Sequence, residues 1–458
     1  MPPASAPLSW AGHLKATLRL GLPITGSLLA QMAIGLTDTV MVGWYGVPEL
    51  AAVVLAGSIF FVFFIVGSGF AMAVMPMVAG AEGAGDRDQT RRVVRMGLWI
   101  SVLFCALAMP VLWPFEALML LIGQEPEIAA LSRDYMRIAQ WGLFPAVLIM
   151  VLKSFLSALE RPGWVLWGTL LGALANAALN YALIFGNWGA PEMGLRGAAV
   201  ASIASATTTF AALALYAGLQ PALRGYALFS RLWRRDGAAL AEVFRLGWPI
   251  GLTMLAEVGL FSASAVMMGW IGTRELASHG IVIQIASMSF MLYLGLANVV
   301  TVRTGRALGR GDRTGIWRAT VTVAGLQLAV AAVVVAAFLL IPETLVGLFL
   351  DLDKPESAAI LAYGAGLLLL AAAFQVVDGA QVVALAVLRG LRDTRVPMLC
   401  AGFSYWGVGI PAGWALAFPM GLGGAGIWGG LVIGLSLAAV SLLARFAWLF
   451  PRLRLRPA

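Results

Sequence analysis

The chain has 458 residues, of which 61% are hydrophobic and only 11% are charged. A soluble domain needs a larger polar shell than this composition provides, so the sequence excludes an ordinary soluble protein. The formal net charge of +8 does not indicate nucleic-acid binding, because the arginines border apolar segments, as they do in the cytoplasmic loops of membrane proteins.

The apolar segments are continuous rather than alternating, which predicts membrane-spanning helices and argues against a membrane β-barrel. The chain is therefore predicted to be an all-α polytopic membrane protein. In chain order, the twelve predicted helices span residues 18–44, 51–80, 93–116, 135–158, 163–187, 195–218, 245–270, 278–303, 318–341, 358–388, 396–418 and 425–450. The first 20 residues lack the pattern of a cleaved signal peptide, so the first helix is expected to be retained.

Positive charges are unevenly distributed between the two ends of the predicted helices. With the N-terminus in the cytoplasm, 25 of the 30 Lys and Arg residues fall on the cytoplasmic side, including Lys153, Arg389, Arg454 and Arg456. Such an excess predicts a multi-pass protein of the bacterial inner membrane with both termini in the cytoplasm. This count assigns every Lys and Arg to one side of the membrane and leaves no buried base.

Three acidic residues, Asp38, Glu257 and Asp378, do lie inside predicted helices. A carboxylate at bilayer depth is costly unless it is paired, hydrated or protonated, so such residues mark ion or substrate paths. Buried carboxylates without a buried base favour cations and disfavour phosphate-bearing ligands. The sequence therefore predicts a transporter with a cationic cargo.

Two of these acids lie at a similar predicted depth near the middle of the membrane. Glu257 follows Arg245 by 12 residues, and Asp378 precedes Arg389 by 11 residues, which corresponds to about 18 Å and 17 Å of helix. Such a pair can bind Na⁺ through its oxygens or hold a proton between coupled groups. The alternative is that each acid is hydrogen-bonded separately and serves only helix packing.

The two halves of the chain contain an internal duplication. A shift of 226 residues aligns LGLPI at 20–24 with LGWPI at 246–250, and MVGW at 41–44 with MMGW at 267–270. Six helices in each half make the halves parallel repeats, related by a pseudo-two-fold axis along the membrane normal. We expect the substrate cavity between them.

The domain boundaries follow from this duplication. We predict an N-terminal six-helix lobe at residues 1–222, a cytoplasmic connector rich in arginine at 223–244, and a C-terminal six-helix lobe at 245–458. The shift places Ser264 opposite Asp38 and Gln31 opposite Glu257. The lobes are therefore expected to share a scaffold but to differ in ion chemistry.

Polar residues of other predicted helices are candidates to support the acids. Asn176 and Asn180 are four residues apart on one helix face, so they either bind Asp38 or an ion, or join helices as structural polar residues. The weaker candidates for a cavity lining are Gln284, Tyr293, Gln375 and Gln381. Each of these can equally well satisfy a neighbouring backbone group.

The remaining reactive residue types give no sign of catalysis. Cys105 and Cys400 lie in apolar stretches, and His13 and His279 are expected to be surface groups near the membrane interfaces. The sequence contains no P-loop, nucleophile elbow or HExxH motif. We expect no enzyme activity, no ATP and no cofactor, so an ion gradient of Na⁺ or H⁺ is left as the energy source.

Several segments together resemble the multidrug and toxic compound extrusion (MATE) family, and within it the NorM-type bacterial members. The resemblance covers nearly all of the chain. It is carried by LLAQMAIGLTDT at 28–39, VMPMVAGAEGAG at 74–85, NAALN at 176–180, Glu257, FQVVDG at 374–379 and LRGLRDT at 388–394. The order of these segments within twelve helices makes the match specific.

The resemblance implies an antiporter that exchanges Na⁺ or H⁺ for small organic cations, such as drugs and dyes, through a V-shaped cavity. Glu257 and Asp378 match the cation-site acids of the second lobe and resemble those of sodium-coupled members, which implies Na⁺ at these two residues. Asp38, Asn176 and Asn180 match the polar cluster of the first lobe. We expect the protein to be a monomer.

Two other functions are compatible with a polytopic fold. A lipid-linked oligosaccharide flippase of similar architecture needs buried Arg or Lys to hold a diphosphate, and the charge count finds none. A non-transporting membrane scaffold or receptor would use the buried acids only for packing, and it would bind no cation.

Overall fold

The computed structural model describes residues 9–351, 353–355, 357–453 and 455. Arg454 and Arg456, which the sequence places in the cytoplasm, lie outside the described residues. Throughout the described ranges the regular secondary structure is helical. The predicted all-α class is thus confirmed.

All twelve predicted segments correspond to helical segments of the structure. In chain order these are α1 Trp10–Tyr45, α2 Val47–Gly83, α3 Arg87–Leu112, α4 Pro126–Ala158, α5 Pro162–Phe185, α6 Gly194–Leu219, α7 Gly237–Ile271, α8 Thr273–Gly309, α9 Arg313–Leu340, α10 Ser357–Gly390, α11 at 395–417 and α12 Gly423–Arg452. Eleven of them, all except α11, are long and apolar enough to cross a membrane.

Helix α11 is interrupted by a π-helical segment, Phe403–Gly409, between two α-helical pieces. Pro411 lacks an N–H group and its ring crowds the carbonyl of Gly407, so a regular α-helical ladder cannot pass through this point. The wider π turn accommodates the mismatch. A Cβ on Gly430 of α12 would lie 2.2 Å from the Cα of Gly413, so α12 packs directly against the backbone of α11.

The duplication in the sequence produces the same turn twice. After α2, Gly85 adopts φ +72°, and the Asp86 side chain caps α3 by accepting from the N–H of Gln89 at 2.8 Å. After α8, Gly311 adopts φ +71°, and Asp312 caps α9 in the same way at 2.7 Å. A left-handed glycine ends one helix and an aspartate begins the next, as expected for these residue types.

The chain divides by contacts into two compact units. One unit comprises Leu22–Gly251, and the other comprises Met1–Gly21 together with Leu252–Ala458. The predicted lobes at 1–222 and 245–458 are instead continuous in the chain, so their bounds differ from those of the compact units. The two lobes, as the two copies of the repeat, stay a prediction. Helices α1 and α7 each contribute to both units, and Pro23 and Pro249 lie inside these helices next to the boundaries.

The N-terminal part of α1 is anchored within the second-half unit. Buried Arg303 of α8 donates to the carbonyl oxygen of His13 at 2.8 Å and to Oγ1 of Thr17 at 2.6 Å. The Arg318 guanidinium lies 5.7 Å from the ring centroid of Trp10. The buried polar groups of His13, Thr17 and Arg303 are thereby hydrogen-bonded, which removes the cost of burying them without partners.

The N-terminal part of α7 is anchored in the first-half unit by corresponding residues. Arg92 of α3 forms an ion pair with Asp236, and it also donates from Nη2 to Asp236 Oδ1 at 3.2 Å. The 226-residue shift maps Arg92 onto Arg318 and Trp10 onto Asp236. In each unit an arginine at the corresponding position thus contacts the N-terminal end of α1 or α7. The contact of Arg92 is ionic, and that of Arg318 is a cation–π contact.

Candidate functional site

The first-half unit collects hydrogen-bond donors around the carboxylate of Asp38 on α1. Asp38 Oδ1 accepts from Nδ2 of Asn176 at 2.9 Å and from Nδ2 of Asn180 at 2.5 Å. Its Oδ2 accepts from Oγ of Ser202 on α6 at 3.1 Å. Both asparagines are fully buried on one face of α5, whereas Asp38 is half-buried. Three donors hold a negative charge in a defined position.

This arrangement brings together residues that the sequence placed on different predicted helices. Asn176 and Asn180 do contact Asp38, which was one of the two alternatives for this pair. Ser202 was missed, because one serine in the small-residue helix GLRGAAVASIASATTT carries no local signal of its partner. Helices α5 and α6 are consecutive in the chain, and consecutive helices usually pack together. This was the one signal that could have placed Ser202 near Asn176 and Asn180.

In the second-half unit, Glu257 and Asp378 share one hydrogen-bond donor. Gln381 of α10 donates from Nε2 to Glu257 Oε1 at 3.2 Å and to Asp378 Oδ1 at 3.5 Å. The hydroxyl of Tyr405, in the π segment of α11, donates to Gln381 Oε1 at 2.6 Å and so orients the amide. Asp378 is 2% exposed, and Gln381 and Tyr405 are fully buried. The two acids thus belong to one polar cluster.

A positive charge lies near this cluster. Arg389, at the end of α10, interacts electrostatically with Glu257. From the sequence, Arg389 was predicted to lie on the cytoplasmic side and not at the site. With both acids ionised, Glu257, Asp378 and Arg389 sum to one net negative charge, which one monovalent cation neutralises.

Three cavity-lining candidates of this unit are not in contact with the acids by hydrogen bonds. Gln375 is fully buried and donates to Oγ of Ser289 on α8 at 2.7 Å, so it joins two helices. The hydroxyl of Tyr293 is buried without a hydrogen-bond partner among the described residues. Gln284 lies exposed on α8. Gln381, the other weak candidate, is the residue that connects the acids.

The expectation that no base is buried is wrong. Arg95, Lys153 and Arg303 are all within helices and are 6%, 9% and 8% exposed. Arg95 and Arg303 bond to the backbone of Arg231 and His13 near helix ends. Lys153 is different, because it lies in a fully buried stretch of α4 and donates from Nζ to Oε1 of Gln31 at 2.9 Å.

The expectation for the two histidines is also wrong, because both are buried within helices. His13 is 5% exposed and lies against Arg303, whereas His279 is 2% exposed and its Nε2 is 3.3 Å from Oγ of Ser264. Helices α1 and α8 begin earlier than predicted, which moves both rings into the packed interior. Ser264, the position opposite Asp38, is thus paired with an imidazole and not with asparagines.

No cluster of three or more His, Cys, Asp or Glu side chains in the described part of the chain is arranged to hold a metal ion. A cation at the second-half acids would therefore depend on neutral oxygen donors as well. The side chains of this cluster include such oxygens, on the Gln381 amide and the Tyr405 hydroxyl; in the structure the amide nitrogen faces the acids and the amide oxygen accepts from Tyr405. Carboxylate, carbonyl and hydroxyl oxygens suit a hard cation, so the residue types present fit Na⁺.

Comparison with solved structures identifies the fold. The chain superimposes on a solved structure of a multidrug resistance MATE family transporter of the MOP superfamily with a TM-score of 0.87, at 21% identity and 97% coverage of each chain. The molecule thus shares the all-helical, multi-pass fold of that structure.

Sequence similarity defines the family. The model of the MatE family matches residues 23–182 and 249–415. The chain is 50% identical over 450 residues to a probable multidrug resistance protein NorM of Rhizobium meliloti, which covers 98% of this chain and 96% of the relative. A relative of the same name from Agrobacterium fabrum is 46% identical over 97% of this chain and 96% of its own length. The protein belongs to the MatE family.

Proposed function

We propose that this protein is a secondary active antiporter that exports small organic cations across the inner membrane in exchange for Na⁺ or H⁺, with Na⁺ as the favoured ion. The observation that carries this proposal is the cluster in which buried Asp378 and half-buried Glu257 share the Gln381 amide. The names of the NorM relatives, which describe multidrug resistance, support an organic cargo.

The hydrogen-bond lengths explain why this cluster is suited to a cation. The two bonds from Gln381 are longer than the usual N–H···O distance of about 2.9 Å, so one weak donor serves two carboxylates. Carboxylates inside a membrane protein need further compensation. A single Na⁺ or a single proton supplies it by cancelling the net negative charge left after Arg389.

The Asp38 cluster is proposed to receive the organic cation. Its carboxylate is held by three donors but is half-buried, so it presents a fixed negative charge to a ligand. A fixed charge in a low-dielectric environment attracts an opposite charge more strongly than it would in water. Ion coupling and cargo binding are thereby assigned to different units.

Efflux from proteoliposomes tests the proposal. A fluorescent organic cation is loaded, and a Na⁺ gradient or a H⁺ gradient is imposed separately. We expect wild-type efflux under the Na⁺ gradient and a loss of at least roughly tenfold in Glu257→Gln and in Asp378→Asn, since each removes the charge that binds the ion. Glu343→Gln, which changes an exposed acid of the short helix Pro342–Gly347, is the matched control and should transport normally.

The outcomes separate the alternatives. Efflux under the H⁺ gradient alone assigns the proton as coupling ion. Gradient-driven efflux that persists in Glu257→Gln contradicts the proposed coupling site. Absence of efflux under both gradients favours the lipid-linked oligosaccharide flippase or the scaffold, and the buried bases named above make the flippase the first of these to test.

A further inference from the structure

Lys153 is a buried cationic group that the proposed antiport mechanism does not use. It lies in α4 within the stretch Val151–Ala158, whose residues are all buried, and Lys153 itself is 9% exposed. A lysine in such a place is costly unless its charge is compensated. Its presence therefore calls for an anionic partner.

The protein supplies only a neutral partner. Among the described residues, the one hydrogen-bond acceptor of the Lys153 ammonium is the side-chain oxygen of Gln31, at 2.9 Å, and no acid contributes an electrostatic interaction. An ammonium group has three donors, so two of them have no acceptor among the described residues. This arrangement contrasts with that of Arg95 and Arg303, which bond to backbone carbonyls near helix ends.

The internal repeat allows the charge of the Gln31–Lys153 pair to be compared with that of its counterpart in the second-half unit. The 226-residue shift maps Gln31 onto Glu257. In the second-half unit this position is a carboxylate that accepts from a neutral amide of Gln381. In the first-half unit it is a neutral amide that accepts from a cation. The net charge of the hydrogen-bonded pair is therefore negative for Glu257 with Gln381 and positive for Gln31 with Lys153, and the first-half pair favours an anion.

Helix α1 aligns this position with Asp38. Gln31 and Asp38 are seven residues apart, which places them on one face of α1, about 10 Å apart along the helix axis. Both residues are half-buried, so this face of α1 is not fully covered by the unit. The face thus has a positive charge, that of Lys153 beside Gln31, near one end and the negative charge of Asp38 near the other.

We propose that Lys153 and Gln31 form an anion subsite that binds the carboxylate of amphoteric substrates whose cationic group binds at Asp38. The inference rests on the proposed function of Asp38 and assigns a separate binding site to the carboxylate of such substrates. A charge-assisted hydrogen bond contributes roughly tenfold or more in affinity. The subsite is thus a specificity determinant for the carboxylate.

A matched pair of dyes tests this inference by binding and not by transport. Rhodamine B carries a carboxylate and a delocalised cation, whereas its ethyl ester is a cation only. Fluorescence anisotropy with the purified full-length protein measures the affinity for each dye. We expect Lys153→Met to weaken rhodamine B binding by roughly tenfold or more and to change ester binding less than twofold. Lys153→Arg should retain most of the affinity for rhodamine B.

Equal weakening of both dyes in Lys153→Met, or no change for either, overturns the inference. A second measurement uses the wild-type protein and so does not depend on the folding of the variant. Benzoate should compete with rhodamine B and leave the affinity for the ester unchanged. Equal competition with both dyes also overturns the inference. Because no gradient is needed, failure of antiport in proteoliposomes is distinguishable from failure of this subsite.

Discussion

The acidic side chains of the two units are compensated in different ways. Asp38 accepts from three donors, whereas Glu257 and Asp378 share one amide whose orientation depends on Tyr405. An anion with three donors is largely satisfied by the protein itself. Two carboxylates with one donor retain free lone pairs, and this difference is the chemical reason for assigning the coupling ion to the second-half unit.

Tyr405→Phe is predicted to weaken Na⁺ binding by about fivefold, because loss of a neutral hydrogen bond costs about 1 kcal/mol and releases the Gln381 amide. Titration calorimetry of the purified protein with NaCl measures this affinity. Tyr181→Phe on α5 is the matched control, since it removes an exposed hydroxyl of the other unit that belongs to neither acid cluster. It should change the affinity less than twofold. An unchanged affinity in Tyr405→Phe would show that Tyr405 does not position the amide.

Helices α2 and α7 cross at very short range within the first-half unit. A Cβ on Gly69 would lie 2.4 Å from the backbone nitrogen of Gly251, and a Cβ on Gly247 would lie 2.7 Å from the Cα of Phe70. These contacts are with backbone atoms, which cannot move aside as the end of a flexible side chain can. Small residues thus permit the crossing, as is common between membrane helices.

Gly69→Ala is expected to destabilise the protein by at least about 2 kcal/mol, because the added methyl group overlaps the backbone of α7. Thermal unfolding in detergent, followed by tryptophan fluorescence, measures the change. Gly57→Ala on the same helix is the control, because its Cβ would meet nothing within 4 Å. It should be neutral or stabilising by up to about 1 kcal/mol. Equal melting temperatures for the two variants would refute the close crossing.

The connection between α3 and the start of α7 depends on charge. Arg92 donates hydrogen bonds to Asp236 and thereby holds the pKa of that carboxyl below its usual value. A group with a lowered pKa in the folded state adds stability above its unfolded pKa, near 4, and loses it as the pH falls through the folded value. The ion pair therefore stabilises the unit at neutral pH and not in acid.

Asp236→Asn tests this pH dependence, because asparagine keeps the capping oxygen that accepts from the N–H of Ala239 but removes the charge. We expect its melting temperature to lie about 2 °C below that of the wild type at pH 7, and the difference to vanish below about pH 4. Asp88→Asn, in an ion pair with Arg91 where the aspartate is 81% exposed, should have a smaller effect. A difference that is constant with pH would contradict the assignment.

The molecule is a duplicated scaffold whose two units carry unlike polar clusters. The repeat preserves helix order, the glycine–aspartate turns after α2 and α8, and the arginine that holds the entering helix end. It does not preserve the acids, since Asp38 corresponds to Ser264 and Glu257 to Gln31. The hydrogen-bond networks around Asp38 and around Glu257 share no residue.

Ligand binding by the two clusters is predicted to be separable, since non-overlapping networks give independent effects. Asp38→Asn should weaken binding of the ethyl ester of rhodamine B by roughly tenfold and change Na⁺ affinity less than twofold. Glu257→Gln should do the reverse. Calorimetry for Na⁺ and fluorescence anisotropy for the dye give both values on the same preparations. Loss of both affinities in either variant would contradict the assignment of separate roles.

The amino-acid sequence was sufficient to predict the helices, the all-α class, the duplication and the three intramembrane acids. Each depends on a local property, such as the length of an apolar segment or a charge within it. The contact of Asn176 and Asn180 with Asp38 was one of two alternatives, because four-residue spacing defines a shared face but not the helix that packs on that face. Family membership followed from motifs that are likewise local.

The folded structure was needed for Ser202, Tyr405 and Lys153, and for the exchange of the α1 and α7 ends between units. Tyr405 reaches Gln381 from a π-helical segment, and Lys153 was assigned to the cytoplasmic side although it lies in a fully buried stretch of α4. Such contacts join residues 24 to 164 positions apart in the chain. They depend on which helix faces meet, and that is set by close packing of the whole unit and not by the composition of any one segment.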